Sequence, residues 1–344
     1  MMRLRVACLV VAAALAACGG TDGGPSPAPM LAATPAPPPT PAPSPTPPVA
    51  VGATSVAAID ATNRAEVVAR WNDTYFDNTA FTWSGSTAGC AAGETSDAFK
   101  AAVLRRLNFY RAMAGLPGNL TLDAALSSKA QKAALMMDAA DRLSHAPGRD
   151  WACYSADGAE AAASSLLAYS NAPARSVSLL DGYVRDRGSN NAAVGHRRWI
   201  LYPPLASVGT GDTAQANALW IALPGVSEVV GSAAAVAWPP RGFIPRALAD
   251  PTDRLSLACA GADFAAASVV MRADTGQRIG IRVESRSDNG YGDNAIVWSV
   301  DTAASPATGW DRGTADTRVE IEVTGVRNCR AGNDFRYAVT FVTP

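Results

Sequence analysis

Apolar residues recur every three to four positions through the first folded half of the chain and every second position beyond Gly225. No single period fits both halves, so the fold must be helix-rich first and all-β afterwards. Ser96 is placed to cap a helix running to about Met113, with Phe99, Val103, Leu107 and Tyr110 on one stripe and Gly115-Leu116-Pro117-Gly118 ending it. A second helix covers about 122–140, with Leu126, Ala130, Ala133 and Met137 aligned and Lys129 and Lys132 outside. A third begins near Glu160, and a fourth covers 176–187 and stops at Gly188. Two strand-like runs follow, 205–209 and 218–223; helices around a few short strands imply an α/β layered domain.

Beyond Gly225, the run 278–284 sets Ile279, Ile281 and Val283 on one face. The runs 318–324 and 336–342 do the same with Val319, Ile321 and Val323, and with Tyr337, Val339 and Phe341. With 255–259, 268–272 and 295–300 there are about six strands separated by Gly, Asp, Asn and Pro turns, the pattern of an immunoglobulin-like or fibronectin-like antiparallel sandwich.

The chain is 344 residues long, enough for about two domains plus tails. Residues 1–18 have the layout of a bacterial secretion signal: Arg3 and Arg5, then an apolar run, 6–17, too short to span a bilayer. That run ends Leu15-Ala16-Ala17-Cys18-Gly19, which resembles the lipobox of bacterial lipoproteins and implies lipidation of Cys18 and a membrane anchor. Gly19 after the Cys, rather than Asp, implies the outer membrane in a Gram-negative cell. Residues 19–57 are Gly, Pro, Ala, Ser and Thr with almost no bulky apolar side chain, so they bury no core and read as a tether. Extended polyproline at 25–49 reaches roughly 70–80 Å. The expected organisation is a signal at 1–18, a Pro-rich linker at 19–57, an extension at 58–96, a first domain at 97–226 and a β-sandwich at 227–344.

A net charge of −1 with no basic patch argues against nucleic acid as a partner. Of six cysteines, Cys8 leaves with the signal and Cys18 is lipidated. Two of the remaining four fall in each folded half of an exported chain, so Cys90–Cys153 with Cys259–Cys329 is the economical pairing among three.

Chemistry concentrates in one stretch. His145 and His196 are the only histidines, and Glu160, Asp181 and Asp186 lie between them. Two imidazoles with carboxylates form a donor set suited to zinc, with water in any open position. No His-Glu-x-x-His helix and no Gly-x-Ser-x-Gly elbow is present, so no residue is assigned a catalytic role. Ser144 beside His145 keeps an exported hydrolase as the alternative reading. Arg197 and Arg198 are suited to an anionic ligand, and equally to solvent or to pairing with Asp186.

The same stretch carries a family resemblance. Leu107-Asn108-Phe109-Tyr110-Arg111-Ala112-Met113-Ala114-Gly115-Leu116 resembles the N-x-x-R-x-x-x-G-L start of the CAP superfamily, or SCP domain, of cysteine-rich secretory, antigen 5 and pathogenesis-related class 1 proteins. Leu126-Ser127 with Ala130-Gln131 and Ala133 is similar to its second helix, and Leu143-Ser144-His145 to its first histidine. Gly195-His196-Arg197 and Val208-Gly209-Thr210-Gly211 are similar to its closing motifs. The resemblance covers about 97–225. It implies an α+β chain: a CAP-type α-β-α sandwich followed by the all-β immunoglobulin-like sandwich. It also implies a cleft of two histidines and two acids able to hold a divalent metal. His145 and His196 take the histidine positions. Gly158-Ala159-Glu160-Ala161 resembles the Gly-Glu-Asn motif and gives Glu160 the first acid position, although Ala159 intervenes and Ala161 replaces Asn. Tyr183-Val184-Arg185-Asp186 resembles Trp-x-x-Glu and gives Asp186 the second, with Asp181 in reserve. With Arg197 these residues line the expected cleft, and the resemblance points to a lipid-like or cell-envelope ligand. A surface interaction module without turnover is the third reading.

Overall fold

Asn63 accepts hydrogen bonds from the amides of Ala65 and Glu66 and starts helix α1, Arg64–Arg70, which widens into a π-turn at Trp71–Tyr75. The computed structural model describes residues 54–170, 176–222, 235–287 and 290–344. The signal segment, Cys18 and nearly all of the Pro-rich linker lie outside the described residues, as does the expected boundary at 226/227. Among the described residues no helix is long and apolar enough to cross a membrane.

Ser96 caps α2, Asp97–Met113, as its position before the apolar stripe predicts. Strand β1, Thr121–Leu122, leads to Asp123, whose carboxylate caps α3, Ala124–Ala139. Ser155 caps α4, Ala156–Ser164, so this helix begins four residues before the expected Glu160. It runs directly into β2, Ser165–Tyr169. Next come α5, Leu179–Arg185, α6, Gly195–Ile200, and the hairpin of β3, Ser207–Asp212, with β4, Ala216–Ala222. These strands form one sheet in the order β1-β3-β4-β2.

Alternation along the strands makes the three layers. On β4, Ala216, Ala218 and Trp220 join Ala130, Ala133 and Met137 of α3 and Ala161 of α4 in one apolar cluster. Leu219 and Ile221, on the opposite face, join Leu107 and Tyr110 of α2, Val184 of α5 and Ile200 of α6 in another. The sheet is thus covered by helices on both sides. Helix α3 approaches β3 so closely that a Cβ on Gly209 would sit 2.6 Å from Leu126 C, and one on Gly211 2.2 Å from Gln131 N. Only glycine permits that contact, which accounts for both glycines of the Val-Gly-Thr-Gly run.

The C-terminal region adds β5, Val236–Trp238, β6, Gly242–Pro245, β7, Leu255–Cys259, and β8, Ser268–Ala273. It continues with β9, Arg278–Ile279, β10, Ile281–Ser287, β11, Asn294–Val300, β12, Thr317–Thr324, and β13, Phe335–Val342. One sheet has the order β10-β11-β7-β5 and the other β6-β13-β12-β8-β9. They pack on one another through Trp298 of β11 and Met271 of β8, whose Nε1 and Sδ lie 3.2 Å apart. The expected strand at 278–284 is split between the two sheets. Gly280 turns the chain from β9 to β10, with its amide donating to Ser305 Oγ at 2.7 Å and its carbonyl accepting from Asp301 N at 2.9 Å. The unexpected strands β5 and β6 flank Pro239-Pro240, which cannot donate to a ladder and so divide one extended run between the sheets.

Both disulfides form as expected: Cys90 with Cys153, and Cys259 with Cys329. The described residues, from Thr54 onward, belong to one compact unit, and a single apolar cluster includes Leu107 and Tyr110 together with Trp238, Trp298 and Phe341. The Tyr110 and Trp238 rings meet edge-on at 5.7 Å.

Candidate functional site

His145 sits in the loop between α3 and α4. The same loop carries Cys153, whose bridge to Cys90 ties it to the N-terminal extension, and Arg142 stacks on Trp151 at 4.3 Å within it. His145 Nδ1 lies 2.8 Å from the carbonyl of Ala162. A carbonyl only accepts, so Nδ1 is the donor and Nε2 is left free of that bond.

His196 lies in the first turn of α6, backed by the ring of Tyr183 at 5.2 Å between centroids. Its Nδ1 is 2.8 Å from Asp186 Oδ1, while Asp186 Oδ2 accepts from the amides of His196 at 2.9 Å and Arg197 at 3.4 Å. Asp186 ends α5 with a left-handed φ of 50°, which turns its carboxylate back under α6. Asp186 therefore fixes the imidazole from behind and leaves Nε2 for the front.

The front is a cleft of about 1120 Å³ lined by both histidines. Its walls are Leu166, Trp199, Trp220, Ile221 and Tyr291, with polar atoms from Ser144, Ser165, Asn190, Asn191, Glu284 and Ser285. Leu143 and Tyr291, 42% and 41% exposed, stand at the rim, one from the helical region and one from the C-terminal region.

The other residues expected at the cleft are placed elsewhere. Glu160 does not line it: the side chain is 55% exposed and pairs with Lys129 of α3 at 2.7 Å. Because α4 starts at Ala156, Glu160 falls on its solvent face, whereas Ala161 and Ala162 face the core. Asp186 is fully buried behind His196 and has no oxygen free for the cleft. Arg197, expected to meet an anionic ligand, is 1% exposed and donates instead to the carbonyls of Val184, Arg185 and Arg254 and to Ser256 Oγ. Burial pushes its guanidinium down to about 10, which leaves it charged at neutral pH and bridging α5 to the start of β7. Asp181, the reserve acid, accepts from Tyr75 Oη at 2.5 Å, Tyr110 Oη at 2.7 Å and Arg106 Nη1 at 2.8 Å, beneath α2. Ser144 Oγ accepts from the amide of Ala146. Cys18 lies outside the described residues.

The four-donor zinc set is accordingly not assembled. Two imidazoles face the cleft while the expected acids lie outside or behind it, and among the described residues no group of three His, Cys, Asp or Glu side chains is positioned to hold an ion. A resident zinc needs three protein ligands at least, so the donor set does not fit one.

Sequence reasoning missed Trp199, Trp220, Glu284 and Tyr291. The one available signal was Tyr291, the only aromatic in a turn otherwise built of Asp, Asn and Gly. Glu284 was hidden in a strand whose alternation assigns it to solvent.

No curated protein and no solved structure matches the chain. Residues 104–219, which run from within α2 through most of β4 and carry both histidines, match the model of the CAP, cysteine-rich secretory protein family, and this chain carries a CAP domain of that family.

Proposed function

We propose that this chain is a lipid-anchored envelope protein whose CAP-domain cleft binds a small amphipathic molecule, lipid-like or a cell-envelope component, without turning it over. The observation that carries the reading is that the only two histidines of the chain line one cleft with apolar walls and an apolar rim. Both imidazoles are held through Nδ1, which presents Nε2 to a ligand's polar end. The volume, about 1120 Å³, is slightly above the roughly 300–1,000 Å³ usual for small-molecule sites.

Asparagine tests this cleanly, because its Nδ2 occupies the place of a histidine Nδ1 donor and omits Nε2. Calorimetry with 1-decanol uses the full chain bearing Cys18→Ser, so that no acyl group competes. Saturable binding is expected, weakened about 3–10-fold by His145→Asn and by His196→Asn, as one hydrogen bond each would give. Absence of saturable binding, or unchanged affinity in both variants, refutes the reading.

Anchoring rests on the Leu15-Ala16-Ala17-Cys18-Gly19 stretch and its charged, apolar lead. Cells fed an alkyne-labelled palmitate should label the chain, and Cys18→Ser should abolish the label; persistent labelling refutes anchoring at Cys18.

A specific observation also supports hydrolysis as the second reading. The Asp186–His196 pair is the orienting half of a general base. No serine or cysteine is hydrogen-bonded to either imidazole among the described residues, so the nucleophile would be water. Turnover of p-nitrophenyl esters that disappears in His196→Asn would favour this reading over binding alone.

A further inference from the structure

Strands β10 and β11 pair from Ile281 with Val300 onward, but the register slips at one point: Val283 faces Trp298 and Ser285 faces Val297, leaving Glu284 without a partner of its own. A bulge inserts one residue and breaks strict alternation, and bulges next to binding sites re-aim side chains. Here it brings the consecutive residues Glu284 and Ser285 into the lining of the histidine cleft. One oxygen of Glu284 is secured: Oε1 accepts from Ser299 Oγ at 2.5 Å and from Arg282 Nη2 at 2.8 Å and Nε at 3.1 Å. No described residue donates to Oε2.

The charge of this carboxylate is sheltered. The Glu284 side chain is 13% exposed and that of Arg282 67%, so water screens the arginine more than the acid. Among the described residues no lysine or arginine lines the cleft, and Glu284 is the one carboxylate in its lining. Trp199, Trp220 and Tyr291 add aromatic surface, which attracts cations as carboxylates do. The Trp220 and Tyr291 rings already face Lys129 at 5.9 Å and Arg198 at 5.7 Å, which leaves Trp199 as the ring with no such neighbour among the described residues. Ser165 adds a buried hydroxyl in the lining that has no hydrogen-bond partner among the described residues.

We propose that Glu284, delivered by the bulge in β10, makes the cleft selective for an amphiphile whose polar end is an organic ammonium cation. The β-region is then part of the recognition site, supplying the charge that Glu160 does not. This rests on the reading of the cleft as an amphiphile site, and the test separates the two.

Decylammonium, decanoate and 1-decanol share one chain length and differ in charge. Each is titrated calorimetrically into the full chain bearing Cys18→Ser, and again with Glu284→Gln added. Glutamine keeps an Oε1 acceptor for Ser299 and Arg282, and its thermal midpoint reports whether the fold is intact. Decylammonium is expected to bind about tenfold or more tighter than decanoate, as a charge-assisted contact gives. The ratio should fall to within about threefold in Glu284→Gln. Decanol binding with equal affinities for the two ions overturns the charge selectivity alone, as does a preference that survives Glu284→Gln. No binding of decanol overturns the cleft reading and this inference together. Should Glu284→Gln not fold, the comparison of the two ions on the parent chain decides the selectivity.

Discussion

Asp186 Oδ1 lies 2.8 Å from His196 Nδ1, and the second carboxylate oxygen closes onto the amides that open α6. One buried acid thereby orients the imidazole and caps the helix that carries it. Asp186→Asn isolates the charge, since asparagine tolerates the left-handed backbone at this position as well as aspartate does. Its amide must turn an NH₂ toward one of the N–H groups that Asp186 now accepts from. A loss of about 2–3 kcal/mol in urea unfolding is expected, and a change below about 0.5 kcal/mol would show that the pair is dispensable to the fold.

The ring of Tyr291 lies over Gly195, so close that a Cβ there would be 3.0 Å from Tyr291 Cγ. Gly195→Ala must displace the ring and with it the β10–β11 turn that brings Tyr291 to the cleft. In a double-mutant cycle with Tyr291→Ala, a coupling of about 1 kcal/mol is expected. Strict additivity would mean that the ring does not rest on this glycine.

Glu160 pairs with Lys129 on the solvent face, with 55% and 32% of the side chains exposed. Exposed pairs of this kind contribute about 0.2–1 kcal/mol. Glu160→Gln should therefore cost less than about 1 kcal/mol and leave decanol affinity as it was. A tenfold loss of affinity would return Glu160 to the site that the family resemblance gave it.

Acid sensitivity has an assignable source in Asp311. Burial raises this carboxyl, but hydrogen bonds from Arg246, Thr317 and the Gly313 amide outweigh it and hold the group below the usual carboxylate range. A depressed folded-state value contributes stability that is present above the unfolded value, about 3.9 for aspartate, and lost as pH falls through the folded one. Asp311→Asn should thus be less stable than the parent at pH 7, and the gap should narrow below about pH 4. Urea titrations at neutral and acid pH check this; a gap independent of pH would assign the loss to packing.

Much of the fold is legible in the residues themselves. Ser96 before an apolar stripe sets the start of α2, Gly209 and Gly211 record the close approach of α3, and the alternation of Val319, Ile321 and Val323 gives β12. The motif residues Asn108 and Arg111 are legible too, but as structural pins. Asn108 exchanges hydrogen bonds with the backbone of Leu120, and buried Arg111 donates to carbonyls from Pro117 to Leu205. The site is less legible. Both histidines are found from the sequence, yet Glu160 is displaced because the phase of α4 depends on where its cap falls. Ser155, four residues before Ala159, turns Glu160 outward.

By itself the sequence determined the periodicities, the Ser96 cap and the two histidines, and it made Cys90–Cys153 with Cys259–Cys329 the economical pairing among three, because each of these is written in local spacing or in residue scarcity. Tertiary structure alone decided what faces the histidines. A bulge shifts side-chain direction by one residue without altering the hydrophobic pattern that marks the strand. For that reason Glu284 and Tyr291, about ninety residues beyond His196, reach the cleft with no trace in the spacing of the chain.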